Sequence, residues 1–101
     1  MTTDTIEKTV VETATKAGMP REYNVIYMND DATSFEFVIE TLVGYMNHSY
    51  DSAEQKAYEI HTDGSAVVLT CSHEIAEQKV KEVSTAAKEH DFPLVVNIAE
   101  S

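Results

Sequence analysis

Three short runs rich in β-branched and aromatic residues constrain this chain more than anything else in it. Tyr23-Asn24-Val25-Ile26-Tyr27-Met28, Ser65-Ala66-Val67-Val68-Leu69-Thr70-Cys71 and Leu94-Val95-Val96-Asn97-Ile98 each read as a strand. The stretches between them carry helical spacing instead. Phe35, Val38, Ile39, Leu42 and Met46 predict a helix over about 34–46. Ala53, Ala57, Ile60 and His61 fall on one face of a second, and Ile75, Ala76, Val80, Val83 and Ala87 form the stripe of a third. The order is β-α-α-β-α-β. It predicts an α+β fold, a three-stranded antiparallel sheet with three helices packed on one face.

The punctuation agrees with that order. Thr33 followed by Glu36 is a capping box for the first helix, and Asp51 with Glu54 suits the start of the second. Gly64 supplies its left-handed stop. Ser72 caps the third helix, with Glu74 and Glu77 in the first turn, where the helix dipole favours anions. Asp91-Phe92-Pro93 breaks it. The run at 65–71 is nearly all small or β-branched, so it is expected as the buried central strand, with Cys71 as a buried small hydrophobe.

Residues 1–22 stand apart. Ile6, Val10, Ala14 and Ala17 share helical spacing, but β-branched residues weaken the pattern and Gly18 and Pro20 would stop it. A flexible N-terminal extension over 1–22 is expected, ahead of one domain over 23–101.

Bulk properties narrow the function. The 101 residues carry a net charge of -11, which argues against nucleic-acid binding and fits basic partners or positively charged ligands. Cys71 is the only cysteine, so a reducing compartment is expected. No apolar run approaches the roughly 18–20 residues that span a bilayer. The start Met1-Thr2-Thr3-Asp4 lacks the basic and apolar regions of a signal peptide, so the expected setting is cytoplasmic, with no membrane partner.

Asn29-Asp30-Asp31 lies between the first strand and the first helix, where polar groups stand on a rigid base. The chain lacks the spaced His and Cys ligands of a zinc site, and the triplet lacks the glycine and glutamate of a calcium loop. It has no Gly-x-Ser-x-Gly and no phosphate loop. No metal, no cofactor and no catalysis are therefore expected. A cation pocket remains: Asp30 offers a carboxylate, Asn29 an amide oxygen and a neutral His61 a ring acceptor, enough for the three hydrogens of a primary ammonium. The alternative is that Asn and Asp here only make a turn and His61 only finishes a helix.

Several motifs in order resemble the ClpS family, adaptors that hand substrates with destabilising N-terminal residues to Hsp100 unfoldases. They are Asn29-Asp30-Asp31, Thr33, Glu36-Phe37-Val38, His61-x-x-Gly64-x-Ala66, Glu74-x-Ala76-Glu77-x-Lys79-Val80 and Pro93-Leu94, and the resemblance runs from about Tyr23 to Glu100. It implies that Asn29, Asp30 and His61 hold the substrate's free α-amino group. It implies that Thr33, Phe35, Val38, Ala57, Ile60 and Leu94 wall a pocket for the first side chain, from N-terminal Phe, Tyr, Trp or Leu. Glu74 and Lys79 match positions that dock the N-terminal domain of a Clp/Hsp100 unfoldase of ClpA or ClpC type. Residues 1–22 match an extension implicated in delivery.

The chain also departs from the family pattern. Methionines are frequent there at the positions of Phe35 and Ala57, and an aromatic and a proline at those of Ala32 and Ser34. Ala57 is expected to open room for larger rings, at some expense to Leu. A competing reading is a different interaction module, since the architecture also resembles the C-terminal domain of the ribosomal stalk protein. That domain is not expected to need the Asn29, Asp30 and His61 trio.

Overall fold

The computed structural model describes residues 21–101. The expected N-terminal extension lies outside the described residues, except for Arg21 and Glu22. The elements follow in the predicted order: β1 (Glu22–Met28), α1 (Phe35–Tyr45), α2 (Tyr50–Asp63), β2 (Ser65–Ser72), α3 (His73–Glu89) and β3 (Val95–Glu100). They form an α+β fold in which the helices cover one face of a three-stranded antiparallel sheet.

The strand order is β2-β1-β3, which corrects one expectation. The centre is β1, and the run at 65–71 is an edge strand. A small, β-branched run reads as buried on both faces, but among the described residues only one face of this sheet is covered. Burial therefore alternates along β2: Ala66 and Val68 are buried while Val67 between them is 37% exposed. Cys71 at the far end is half-buried. Its thiol is pushed up by burial, with Lys79 pulling the other way. In β1 the inward residues Val25 and Tyr27 are fully buried. The β1–β2 register shifts between Val25 and Ile26, leaving Val68 as an extra residue on β2.

The core joins these inward residues to one stripe from each helix. From α1 come Phe37, Val38, Ile39 and Leu42, from α2 Ala53, Ala57 and Ile60, and from α3 Ala76, Val83 and Ala87. Ile75, expected in the α3 stripe, is 46% exposed because it points one helical step away from Ala76. The buried polar groups are paired. Tyr27 donates its hydroxyl to Thr41 Oγ1 at 2.8 Å, and Thr41 donates to the Val38 carbonyl at 2.9 Å. Burial drives the Tyr27 phenol far above its ordinary value, against the opposing effect of the Thr41 bond.

The caps set the ends of the helices, and two of them differ from expectation. Ser34, not Thr33, caps α1, its Oγ accepting from the Phe37 amide at 3.0 Å. Ser49, not Asp51, caps α2, accepting from the Ser52 amide at 3.1 Å. Ser72 caps α3 as expected. Gly64 ends α2 at φ 91°, with its amide on the Ile60 carbonyl at 3.0 Å. His48 fixes the α1–α2 connection by reaching the Val68 carbonyl at 2.6 Å and Ser52 Oγ at 2.7 Å.

Candidate functional site

Two strand ends meet at the exit of β1. Met28 pairs with Ser65, the first residue of β2. One residue further, the Asn29 amide donates to the Gly64 carbonyl at 2.9 Å. That bond ties the loop after β1 to the stop of α2, and so sets Asn29-Asp30-Asp31 beside the last turn of α2, where His61 stands. The sharp turn needs a left-handed residue, and glycine adopts it without steric cost.

The loop is organised by the Asp30 carboxylate. Its Oδ1 accepts from the Ala32 amide at 2.8 Å and the Thr33 amide at 2.7 Å. Among the described residues, its Oδ2 accepts from Thr33 Oγ1 alone, at 2.8 Å. This explains the misplaced cap. The Thr33 hydroxyl is committed to Asp30, so the next hydroxyl, Ser34, takes the helix amide. Burial raises the Asp30 acid, but the bonds from Thr33 and Ala32 outweigh it, and the net shift is downward. Asp30 is therefore a carboxylate at neutral pH. A carboxylate oxygen has two lone pairs. Among the described residues, Oδ1 uses both within the loop, while Oδ2 uses one.

Asp30 lines a cavity of about 400 Å³ together with Asn29, Asp31, Thr33, Phe35, Val38, Ala57, Tyr58, Ile60 and His61. Its base is apolar and belongs to the core: Ala57 is 2% exposed, Ile60 3% and Val38 8%. Its rim is open. Phe35, the first residue of α1, packs edge to face on Tyr58 of α2, with ring centroids 5.1 Å apart. One end of the cavity is thus acidic and rich in acceptors, and the rest is hydrophobic. An organic cation with an apolar arm fits such a division.

Of the residues singled out from the sequence, the cavity brings together Asn29, Asp30, His61, Thr33, Phe35, Val38, Ala57 and Ile60. Leu94 is not among its lining; it is 8% exposed and sits in the core just ahead of β3. Asp31 and Tyr58 line it without having been foreseen. Tyr58 precedes His61 by three residues, so helical geometry places it on the same side, and that spacing was a usable signal. Glu74 and Lys79 lie on α3, and the five-residue step turns them well apart around the helix. Glu74 is exposed and Lys79 half-buried. Among the described residues no group of His, Cys, Asp and Glu is placed to hold a metal ion, and no helix is long and apolar enough to cross a membrane.

Comparison with known proteins decides the family. The model of the ATP-dependent Clp protease adaptor protein ClpS matches residues 18–97. This chain belongs to the ClpS family. The ATP-dependent Clp protease adapter protein ClpS of Campylobacter jejuni strain RM1221 is 40% identical over 93 residues, covering 92% of this chain and 97% of the relative. The ClpS of Vibrio atlanticus is 37% identical over 86 residues, covering 85% and 81%. Among solved structures, Agrobacterium tumefaciens ClpS2 bound to L-phenylalaninamide superposes with a TM-score of 0.79 at 37% identity, covering 82% of this chain and all of that one. As a ClpS protein, the chain is a Clp protease adaptor.

Proposed function

We propose that this adaptor grips the free α-ammonium group and bulky first side chain of N-degron substrates and delivers them to a Clp/Hsp100 unfoldase-protease. The observation that carries the reading is the single cavity in which Asn29, Asp30 and His61 adjoin the apolar surface of Phe35, Val38, Ala57 and Ile60. L-phenylalaninamide, bound to the Agrobacterium relative, has the two groups that this cavity would accept: a free amine and an aromatic side chain.

The chemistry follows from the acceptors. A free α-amine has a pKa of ~7.7–8, so it is largely protonated at neutral pH. It then presents three N–H donors to Asp30 Oδ2, the Asn29 amide oxygen and a ring nitrogen of His61. Charge-assisted bonds of this kind contribute ~1.5–3 kcal/mol each. Burying a Leu- or Phe-sized side chain adds ~1.5–3 kcal/mol. After the entropic cost of association, a Kd near the micromolar range, roughly -8 kcal/mol, is expected. Interior residues have no ammonium and would leave the acceptors unpaired, so only chain ends are selected.

In this reading first residues Phe, Tyr, Trp and Leu are the ligands. Glu74 and Lys79 on α3 contribute to docking the N-terminal domain of a ClpA- or ClpC-type unfoldase, and the adaptor performs no chemistry itself. A degradation assay tests the whole reading. A Clp unfoldase-protease should degrade a folded reporter beginning with Phe faster when this protein is added, and Asp30→Ala should abolish the gain. Equal acceleration of a reporter beginning with Met, or an undiminished gain with Asp30→Ala, would contradict it.

A further inference from the structure

We propose that Tyr58 is a specificity-determining residue of the cavity, which makes it favour a flat aromatic first residue over a branched aliphatic one. The inference rests on the reading that the cavity holds a substrate's first residue.

Labour is divided along α2. Ala57 and Ile60 face the core and form the base, at 2% and 3% exposure. Tyr58 is displaced from them around the helix and stands at the rim, 59% exposed. His61, one turn on, lines the polar end of the same cavity. For a ligand whose ammonium lies against His61 and the Asp30 loop, the same cavity offers its side chain the neighbouring turn, where Tyr58 is.

Tyr58 is not a loose surface ring. It meets Phe35 at 5.1 Å between centroids and 63° between planes, an edge-to-face contact that joins α2 to the start of α1. The two rings together form one aromatic wall, and both line the cavity. An entering ring can add a third member to this cluster through its own edge or face, gaining more than area alone gives. A Leu side chain gains only the burial. Ala57 at the base presents only a methyl group, and each ring of the wall has only two side-chain torsions, so ordering it against a ligand costs little entropy.

The test measures Kd for peptides that differ only in the first residue, Phe against Leu, and for the N-acetylated form of the Phe peptide. It uses the wild type, Tyr58→Leu and Tyr58→Phe. Tyr58 is exposed, so neither change opens a hole in the core. Tyr58→Leu should lower the Phe-to-Leu affinity ratio by roughly two- to tenfold. Tyr58→Phe should keep the ratio, because the wall works through the ring and not the hydroxyl. An unchanged ratio in Tyr58→Leu, an equal weakening of both peptides, or a ratio lost in Tyr58→Phe as well would overturn the assignment. So would an effect that follows the second residue of the peptide rather than the first. The acetylated peptide separates the two levels. If the wild type binds it as well as the free peptide, the ammonium reading and this inference fall together. If acetylation weakens binding and Tyr58→Leu leaves the ratio alone, only the role of Tyr58 is lost.

Discussion

The helix-covered face of the sheet and the loop end of β1 are built by different means. The face is held by burial. Val25, Tyr27, Leu42 and Val83 are sealed, and their polar neighbours are paired inward. The loop end is held by directed bonds: Asp30 to Ala32 and Thr33, Asn29 to Gly64, and Ser34 to Phe37. Only its base shares atoms with the core. The lesson is that hydrogen bonds fix the geometry at this end, so its polar groups can line an open cavity with little loss of stability. Substitutions should therefore separate into those that unfold the protein and those that blind it.

The largest effect belongs to the core. Leu42→Ala should cost about 2–5 kcal/mol by denaturant titration, while the fraction that stays folded keeps its peptide affinity. Asp30→Ala should do the opposite. It should weaken binding of a Phe-initiated peptide by roughly 10- to 150-fold, equivalent to ~1.5–3 kcal/mol, with a far smaller change in stability. A stability loss in the range of Leu42→Ala would erase the contrast. Gly64→Ala falls between the two regions. A Cβ there meets nothing within 4 Å, so the expected ~1–2 kcal/mol is backbone strain at φ 91° alone. Because Gly64 receives the Asn29 amide, this variant should weaken both folding and binding, which a joint titration would show. Tyr27→Phe should cost only about 0.5–1.5 kcal/mol, since Thr41 still donates to Val38 and loses just the bond it accepts.

The smallest effect is pH-linked. The folded Asp30 acid lies below its ordinary value of 3.8. A depressed acid stabilises the fold fully above the unfolded value, and the contribution disappears as pH falls through the folded one. The stability difference between wild type and Asp30→Asn should thus be level near neutrality and shrink in acid below about pH 4. A difference that grows in acid would show that the loop bonds do not hold the carboxylate.

How much of this was legible in the sequence also divides by region. The element order, the one covered face and the helix stripes follow from periodicity, because burial imposes it. Which strand lies in the middle does not, since pairing is a tertiary choice that the composition of 65–71 cannot reveal. In the loop, residue types were informative and exact partners were not. Thr33 and Ser34 are adjacent hydroxyls, and only the competing Asp30 carboxylate decides which one caps α1. Asn29, Asp30 and His61 could be grouped by the resemblance to ClpS proteins, but what joins them is the Asn29–Gly64 backbone bond, invisible to any motif. Tyr58 stands outside the apolar stripe of Ala57 and Ile60, so burial does not mark it, and only its three-residue spacing from His61 points to the cavity.

The most direct trial of ammonium recognition is a pair of titrations with one peptide beginning with Phe, free and N-acetylated. Acetylation removes the charge and two of the three donors, and leaves the Asp30 end of the cavity without its partner. The account predicts that the acetylated peptide binds at least roughly a hundredfold more weakly, as for a charged bond left unmade together with its neighbour. Matching Kd values for the two forms would contradict it.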